Sequence, residues 1–140
     1  KKDFNSQNII LVSNIADITL VTYENELKQV IMNIFKNIKD VLKDGIVLIT
    51  ITQKKNILKI TIQDSAGGIP NKIIKSIFDP YFTTKHKSLG VGLGLFSTYE
   101  IVNKVLKGSI YVENKEFDYN FKKYKGACFT IILNKDKLKD

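Results

Sequence analysis

From Leu27 to Leu42 apolar residues recur three and four apart, at Leu27, Val30, Ile31, Ile34, Phe35, Ile38, Val41 and Leu42. A 3.6-residue period sustained this long predicts an amphipathic helix. Such a helix needs a second apolar face to cover it, and the next residues supply one. Val47, Ile49 and Ile51 alternate with Leu48, Thr50 and Thr52, and Leu58, Ile60 and Ile62 alternate with Lys59, Thr61 and Gln63. That is the period of strands, which Gln53-Lys54-Lys55-Asn56 would join as a hairpin. A one-faced helix beside a one-faced hairpin buries both faces only as stacked layers.

The remaining segments extend this pattern. Ile9 to Val12 and Ile18 to Thr22 read as short strands around a turn at Ser13-Asn14-Ile15-Ala16-Asp17. Lys43-Asp44-Gly45 ends the first helix, with Gly45 as its expected C-terminal cap. Pro70 suits the first turn of a short helix reaching about Ser76. Residues 78 to 90 read as a long mobile loop. A second long helix is expected from Gly92 to Val105, with Leu95, Thr98, Tyr99 and Val102 on one side, and Gly108 stops it. Ser109 to Glu113 is a strand, Asn114 to Lys125 a charged loop, Gly126 to Leu133 the last strand, and Asn134 to Asp140 a fraying tail. The order predicts an α/β fold, a two-layer sandwich of one mixed sheet with helices on one face. No linker or repeat divides it, so residues 1–140 are expected to form a single domain.

Composition narrows the function classes. Net charge is +8 and every basic residue is lysine. Without arginine there is no guanidinium clamp. The lysines are scattered, and no basic helix or aromatic-lined strand accompanies them, which argues against nucleic acid as a partner. No apolar run approaches the ~20 residues that span a bilayer, and no signal peptide is visible. No membrane contact is expected of these residues. The chain starts Lys1-Lys2-Asp3 without Met, as expected of a piece of a longer protein. Cys128, the sole cysteine, lies in an apolar strand pattern and is expected to be a buried spectator in a reducing compartment.

Three constellations carry chemistry. Gly90-Val91-Gly92-Leu93-Gly94-Leu95 alternates glycine with apolar residues where a helix begins. Glycine lets backbone N–H groups approach a ligand, and the helix start adds unpaired donors and partial positive charge. The result is a phosphate-binding corner. Asn33 and Asn37, four apart, lie side by side at one edge of the apolar stripe. Taken alone, they suit either solvated amides or amide oxygens aimed at a metal or phosphate. Asp64 closes a strand ahead of Ala66, Gly67 and Gly68. It suits either a turn former or an acceptor for the exocyclic amine of a base.

These motifs together resemble those of a known family. Glu26 to Asn37 looks like the N box of the sensor histidine kinases, and Asp64-Ser65-Ala66-Gly67-Gly68-Ile69-Pro70 like their first glycine box. Phe78-Asp79-Pro80-Tyr81-Phe82-Thr83-Thr84-Lys85 resembles their F box, Gly90 to Leu95 their second glycine box, and Gly126-Ala127-Cys128-Phe129 the glycine motif of their last strand. The boxes come in the family's order. The resemblance implies the catalytic and ATP-binding domain of a cytoplasmic histidine kinase with the Bergerat fold. Asn37 would then be the Mg²⁺ ligand and Asn33 its neighbour near the phosphates. Asp64 would accept from the adenine amine, with Gly68 and Ile69 beside the base. Lys85 would approach the terminal phosphate, so Asn37 and Lys85 are the catalytic candidates. Gly90, Val91, Gly92, Leu93, Gly94 and Leu95 would wrap the phosphates and seat the following helix, and Phe78 and Phe82 would anchor a lid over ATP.

Ala127 lacks the hydroxyl that some relatives offer near the base, and Ala66 stands where many have glycine. His86, between two lysines, is expected to be an exposed lid residue rather than a phosphoacceptor. The phosphoacceptor histidine would come from a separate dimerisation domain, absent from these residues, and the phosphoryl group would pass on to a response regulator. The alternatives are an ATP-hydrolysing clamp or chaperone module of the same fold and a regulatory nucleotide-binding domain without kinase activity. The clamp ATPases usually carry a glutamate base where this chain has Asn33, which cannot take a proton.

Overall fold

The computed structural model describes residues 9–15, 23–42, 44–80 and 94–138. Strand β1 (Ile9–Ile15) precedes helix α1 (Glu24–Val41), which leads to β2 (Gly45–Lys54) and β3 (Ile57–Asp64). A short helix α2 (Asn71–Ile74) follows. Helix α3 runs over Gly94–Glu100 and continues as one π-helical segment, Ile101–Val105. The long strands β4 (Ser109–Tyr119) and β5 (Lys122–Asn134) complete a five-stranded sheet in the order β1-β2-β3-β5-β4. β1 runs parallel to β2, and every other pair is antiparallel. The sheet is mixed, as expected, because α1 supplies the crossover that parallel neighbours require.

Register explains the core. Ile49 faces Ile62, Ile62 faces Phe129, and Phe129 faces Val112, so one apolar row crosses four strands. Val30, Ile34 and Ile38 of α1 and Leu95 and Val102 of α3 pack into the same cluster as Ile60, Ile62 and Ile131. The two long helices thus cover one sheet face, and each buried side chain of this size contributes roughly 1.5–3 kcal/mol. Cys128 is buried with its Sγ 4.0 Å from Thr130 Oγ1. Burial pushes its thiol up, as befits an inert spectator.

Several boundaries differ from expectation. β1 continues through Ser13, Asn14 and Ile15, where a turn was expected, because these residues pair with Ile49, Thr50 and Ile51. The strand expected at Ile18 to Thr22 lies outside the described residues. Gly45 is not a cap: the chain leaves α1 at Leu42 in extended backbone, and Gly45 opens β2. Its lack of a side chain matters because a Cβ there would overlap Ser65 Oγ. The β2–β3 hairpin closes on Lys55 and Asn56 alone, with Lys55 left-handed at φ 57°. Tyr99 is 40% exposed, unlike Leu95, Thr98 and Val102. After α3 the left-handed residue is Lys107, while Gly108 is small because a Cβ would overlap the Ile132 carbonyl.

The largest departure is Asn114 to Lys125, which is ladder rather than loop. β4 and β5 pair continuously to Tyr119↔Lys122, well past Cys128, the last β5 residue paired with β3. Beyond it they form a two-stranded ribbon. Cross-strand pairs hold it together: Phe117 stacks on Tyr124 at 5.5 Å, and Lys123 Nζ lies 3.4 Å from Asp118 Oδ1. Its tip is Asn120-Phe121, both left-handed at φ 56° and 65°, with Phe121 fully exposed. That is the mirror-image turn that matches strand twist, usually marked by Asn-Gly. The tail also departs from expectation. Lys135–Leu138 forms a 3₁₀ turn, the Lys135 N–H donates to the Asn56 carbonyl, and Leu138 is buried.

Candidate functional site

The inward positions of β3 are Leu58, Ile60, Ile62 and Asp64, so an apolar row ends in a carboxylate. Asp64 is only 3% exposed. Its Oδ1 accepts from the Ala66 N–H at 2.9 Å and the Ala127 N–H at 3.2 Å. Oδ2 takes no hydrogen bond among the described residues. Burial pushes this carboxyl above the ordinary aspartate range, and the two backbone N–H groups pull it partly back. Gly126 makes room for it, since a Cβ there would overlap the Asp64 carbonyl. A buried acceptor with one oxygen pinned and the other unpartnered demands an explanation.

The loop after Asp64 is tied down on several sides. Ser65 Oγ accepts from the Ile46 N–H at 3.0 Å, and the Gly67 N–H donates to the Lys125 carbonyl at 2.9 Å. Gly67 and Gly68 are both left-handed, at φ 95° and 103°, which glycine alone adopts without strain. Among the described residues nothing lies within 4 Å of where a Gly67 Cβ would stand, which leaves room there for a flat ligand. Asn114 then grips the next residue. Its Oδ1 accepts from the Ile69 N–H and its Nδ2 donates to the Ile69 carbonyl, each at 2.8 Å. Sequence reasoning missed Asn114 by assigning it to a loop. The signal was its place in the alternation Ile110, Val112, Asn114, on the inward side of β4.

The helices contribute the other half. Asn33 and Asn37 both lie half-buried along the margin of the α1 stripe. Asn33 Oδ1 accepts from Gln29 Nε2 at 2.9 Å, and Asn33 Nδ2 donates to the buried Thr98 Oγ1 on α3 at 3.1 Å. The Asn37 side chain makes no hydrogen bond among the described residues. Gly94 opens α3, and Leu95 seats it in the core. Phe78 packs its ring 6.3 Å from Phe129 and 5.6 Å from Tyr99, joining the segment after α2 to the sheet and to α3. Phe82, Lys85, His86, Gly90, Val91, Gly92 and Leu93 lie outside the described residues. Among the described residues, no three His, Cys, Asp or Glu side chains gather as a metal cluster, and no helix is long and apolar enough to cross a membrane.

The fold has known relatives. The family described as histidine kinase-, DNA gyrase B-, and HSP90-like ATPase matches residues 22–137. Sporulation kinase A of Bacillus subtilis (strain 168) is 39% identical over 113 residues, covering 80% of this chain and 17% of that protein. Sensor histidine kinase ZraS of Escherichia coli (strain K12) is 34% identical over 110 residues, covering 78% of this chain and 22% of that protein. The chain thus spans about a fifth of the length of these relatives. Among solved structures, the nucleotide-free catalytic domain of histidine kinase ThkA shares the fold, with a TM-score of 0.79 at 23% identity over 97% of this chain and 86% of that one. A match over most of its length makes the chain a member of the histidine kinase-, DNA gyrase B- and HSP90-like ATPase family, with sensor histidine kinases among its relatives.

Proposed function

We propose that residues 1–140 form one catalytic domain. It binds Mg²⁺–ATP and presents the γ-phosphoryl group to a histidine on a separate dimerisation domain in the cytoplasm, for onward transfer to a response regulator. The observation that supports this reading is buried Asp64, whose Oδ2 takes no hydrogen bond among the described residues and whose loop leaves Gly67 uncovered among them. A carboxylate so placed accepts from the adenine amine, and it discriminates strongly against bases that lack the amine. Gly68 and Ile69 lie along the base.

Asn37 would hold Mg²⁺ through its amide oxygen, a hard oxygen donor of the kind this cation takes, and the ion would supply charge neutralisation at the phosphates. Asn33, oriented by Thr98, faces the phosphates. Lys85 neutralises the terminal phosphate, Gly90 to Gly94 enclose the chain of phosphates, and Phe78 and Phe82 anchor the covering segment. The residues supply position, which is most of phosphoryl-transfer catalysis. Asn33 cannot act as a base toward water, so hydrolysis is slow. A complex of histidine kinase ThkA with response regulator TrrA, of the same fold at a TM-score of 0.74, is consistent with such a route.

The test is labelled ATP with and without a supplied histidine-bearing acceptor domain. Magnesium-dependent labelling of the acceptor, with little free phosphate, is expected. Brisk phosphate release without acceptor would instead identify an ATPase, and ATP binding with neither outcome would identify a nucleotide sensor.

A further inference from the structure

The root of the β4–β5 ribbon holds the base-side loop and the end of β3 at several points. The Ala127 N–H reaches Asp64, the Lys125 carbonyl takes the Gly67 N–H, and Gln63 Nε2 donates to the Lys115 carbonyl. Asn114 is the one side chain in this set that grips loop backbone on both its donor and its acceptor. It also lies directly across the ladder from Ala127, the residue that pins Asp64 Oδ1. One carboxamide therefore relates what would be the two walls of a base slot, the carboxylate on β3 and the Gly68-Ile69 backbone. The fit is tight, since a Cβ on Gly68 would come within 2.8 Å of Asn114 Oδ1.

We infer that Asn114 is a positioning residue for base recognition: its carboxamide fixes the Gly68-Ile69 wall at a set distance from Asp64, so the slot admits an aminopurine in one orientation. This rests on reading Asp64 as the acceptor for the adenine amine. Without the carboxamide, the Ile69 N–H and carbonyl lose their partners, and the Gly68-Ile69 backbone is free to move past the Gly67 N–H, which the Lys125 carbonyl still holds. The base then meets Asp64 in several poses, and selectivity falls before phosphate affinity does.

The test is calorimetry of the folded domain with Mg²⁺ and three probes: ATP, inosine triphosphate (a carbonyl in place of the amine) and inorganic triphosphate. Asn114→Ala should lower the preference for ATP over inosine triphosphate by about tenfold, the scale of one or two lost hydrogen bonds, with triphosphate affinity unchanged. Asn114→Asp keeps the acceptor toward the Ile69 N–H but not the donor, and should fall between Ala and wild type. It also serves if the alanine variant does not fold. An unchanged preference in a folded variant, or an equal fall for all three probes, overturns the proposal. Asp64→Asn is measured alongside. If it leaves ATP affinity intact, the reading of Asp64 fails. If it destroys affinity while the Asn114 variants keep their preference, the role of Asn114 alone fails.

Discussion

Asp64→Asn separates what this fold needs from what the site needs. Asparagine preserves shape, and its Oδ1 still accepts from Ala66 and Ala127. At the Oδ2 position it puts a donor where the adenine amine needs an acceptor. One hydrogen bond to a charged group, worth about 1.5–3 kcal/mol, is lost, and two donors now face each other. Allowing about 2–4 kcal/mol in all, ATP affinity should fall about 30- to 1000-fold. The ligand-free protein should respond in the opposite sense. Asp64 is raised above its ordinary value of 3.8 by burial, so the folded state favours its neutral form. The stability this gives is present below about 3.8 and is lost as pH climbs through the higher folded value. Asparagine never ionises and escapes that loss. Thermal melts without nucleotide, from about pH 4 to about pH 8, should show the variant gaining on wild type as pH rises. Retained ATP affinity, or a melting difference that ignores pH, would refute the reasoning.

Three further outcomes follow from the packing. Phe121→Gly should raise stability by about 1 kcal/mol, measured by urea melts, because it relieves a left-handed backbone at an exposed tip. Ile34→Ala, at a fully buried position of α1, should cost about 2–5 kcal/mol in the same assay. Gly126→Ala drives a Cβ into the Asp64 carbonyl and should cost about 3 kcal/mol or more, seen as a lower melting point together with lost ATP binding.

The parts legible in the sequence were those with a period or a motif. The α1 stripe, the alternation of β2 and β3, the margin position of Asn33 and Asn37 and the strand-end position of Asp64 are local patterns, and each reappears in the structure. The ribbon was illegible for a physical reason. Its stability lies in pairs across strands, Phe117 with Tyr124 and Asp118 with Lys123, and these are invisible until the register is known. Its turn uses phenylalanine where glycine is the usual sign. Asn114 was hidden with it, because a polar residue in a charged run does not announce that it faces inward. The parallel pairing of β1 likewise follows from a crossover rather than from anything in residues 9–15.

β4 has a consequence for solubility. It is one of the two edge strands, 11 residues long against a usual 5 or 6, and among the described residues its far side pairs with nothing, so it offers a row of backbone groups that another chain could pair with. Glu113, Lys115, Glu116 and Asp118 stand exposed along it. A second copy laid against that edge would have to strip water from both signs of charge before gaining any ladder bond. The same polar run that disguises the strand in the sequence thus works against edge-to-edge pairing along the projecting ribbon.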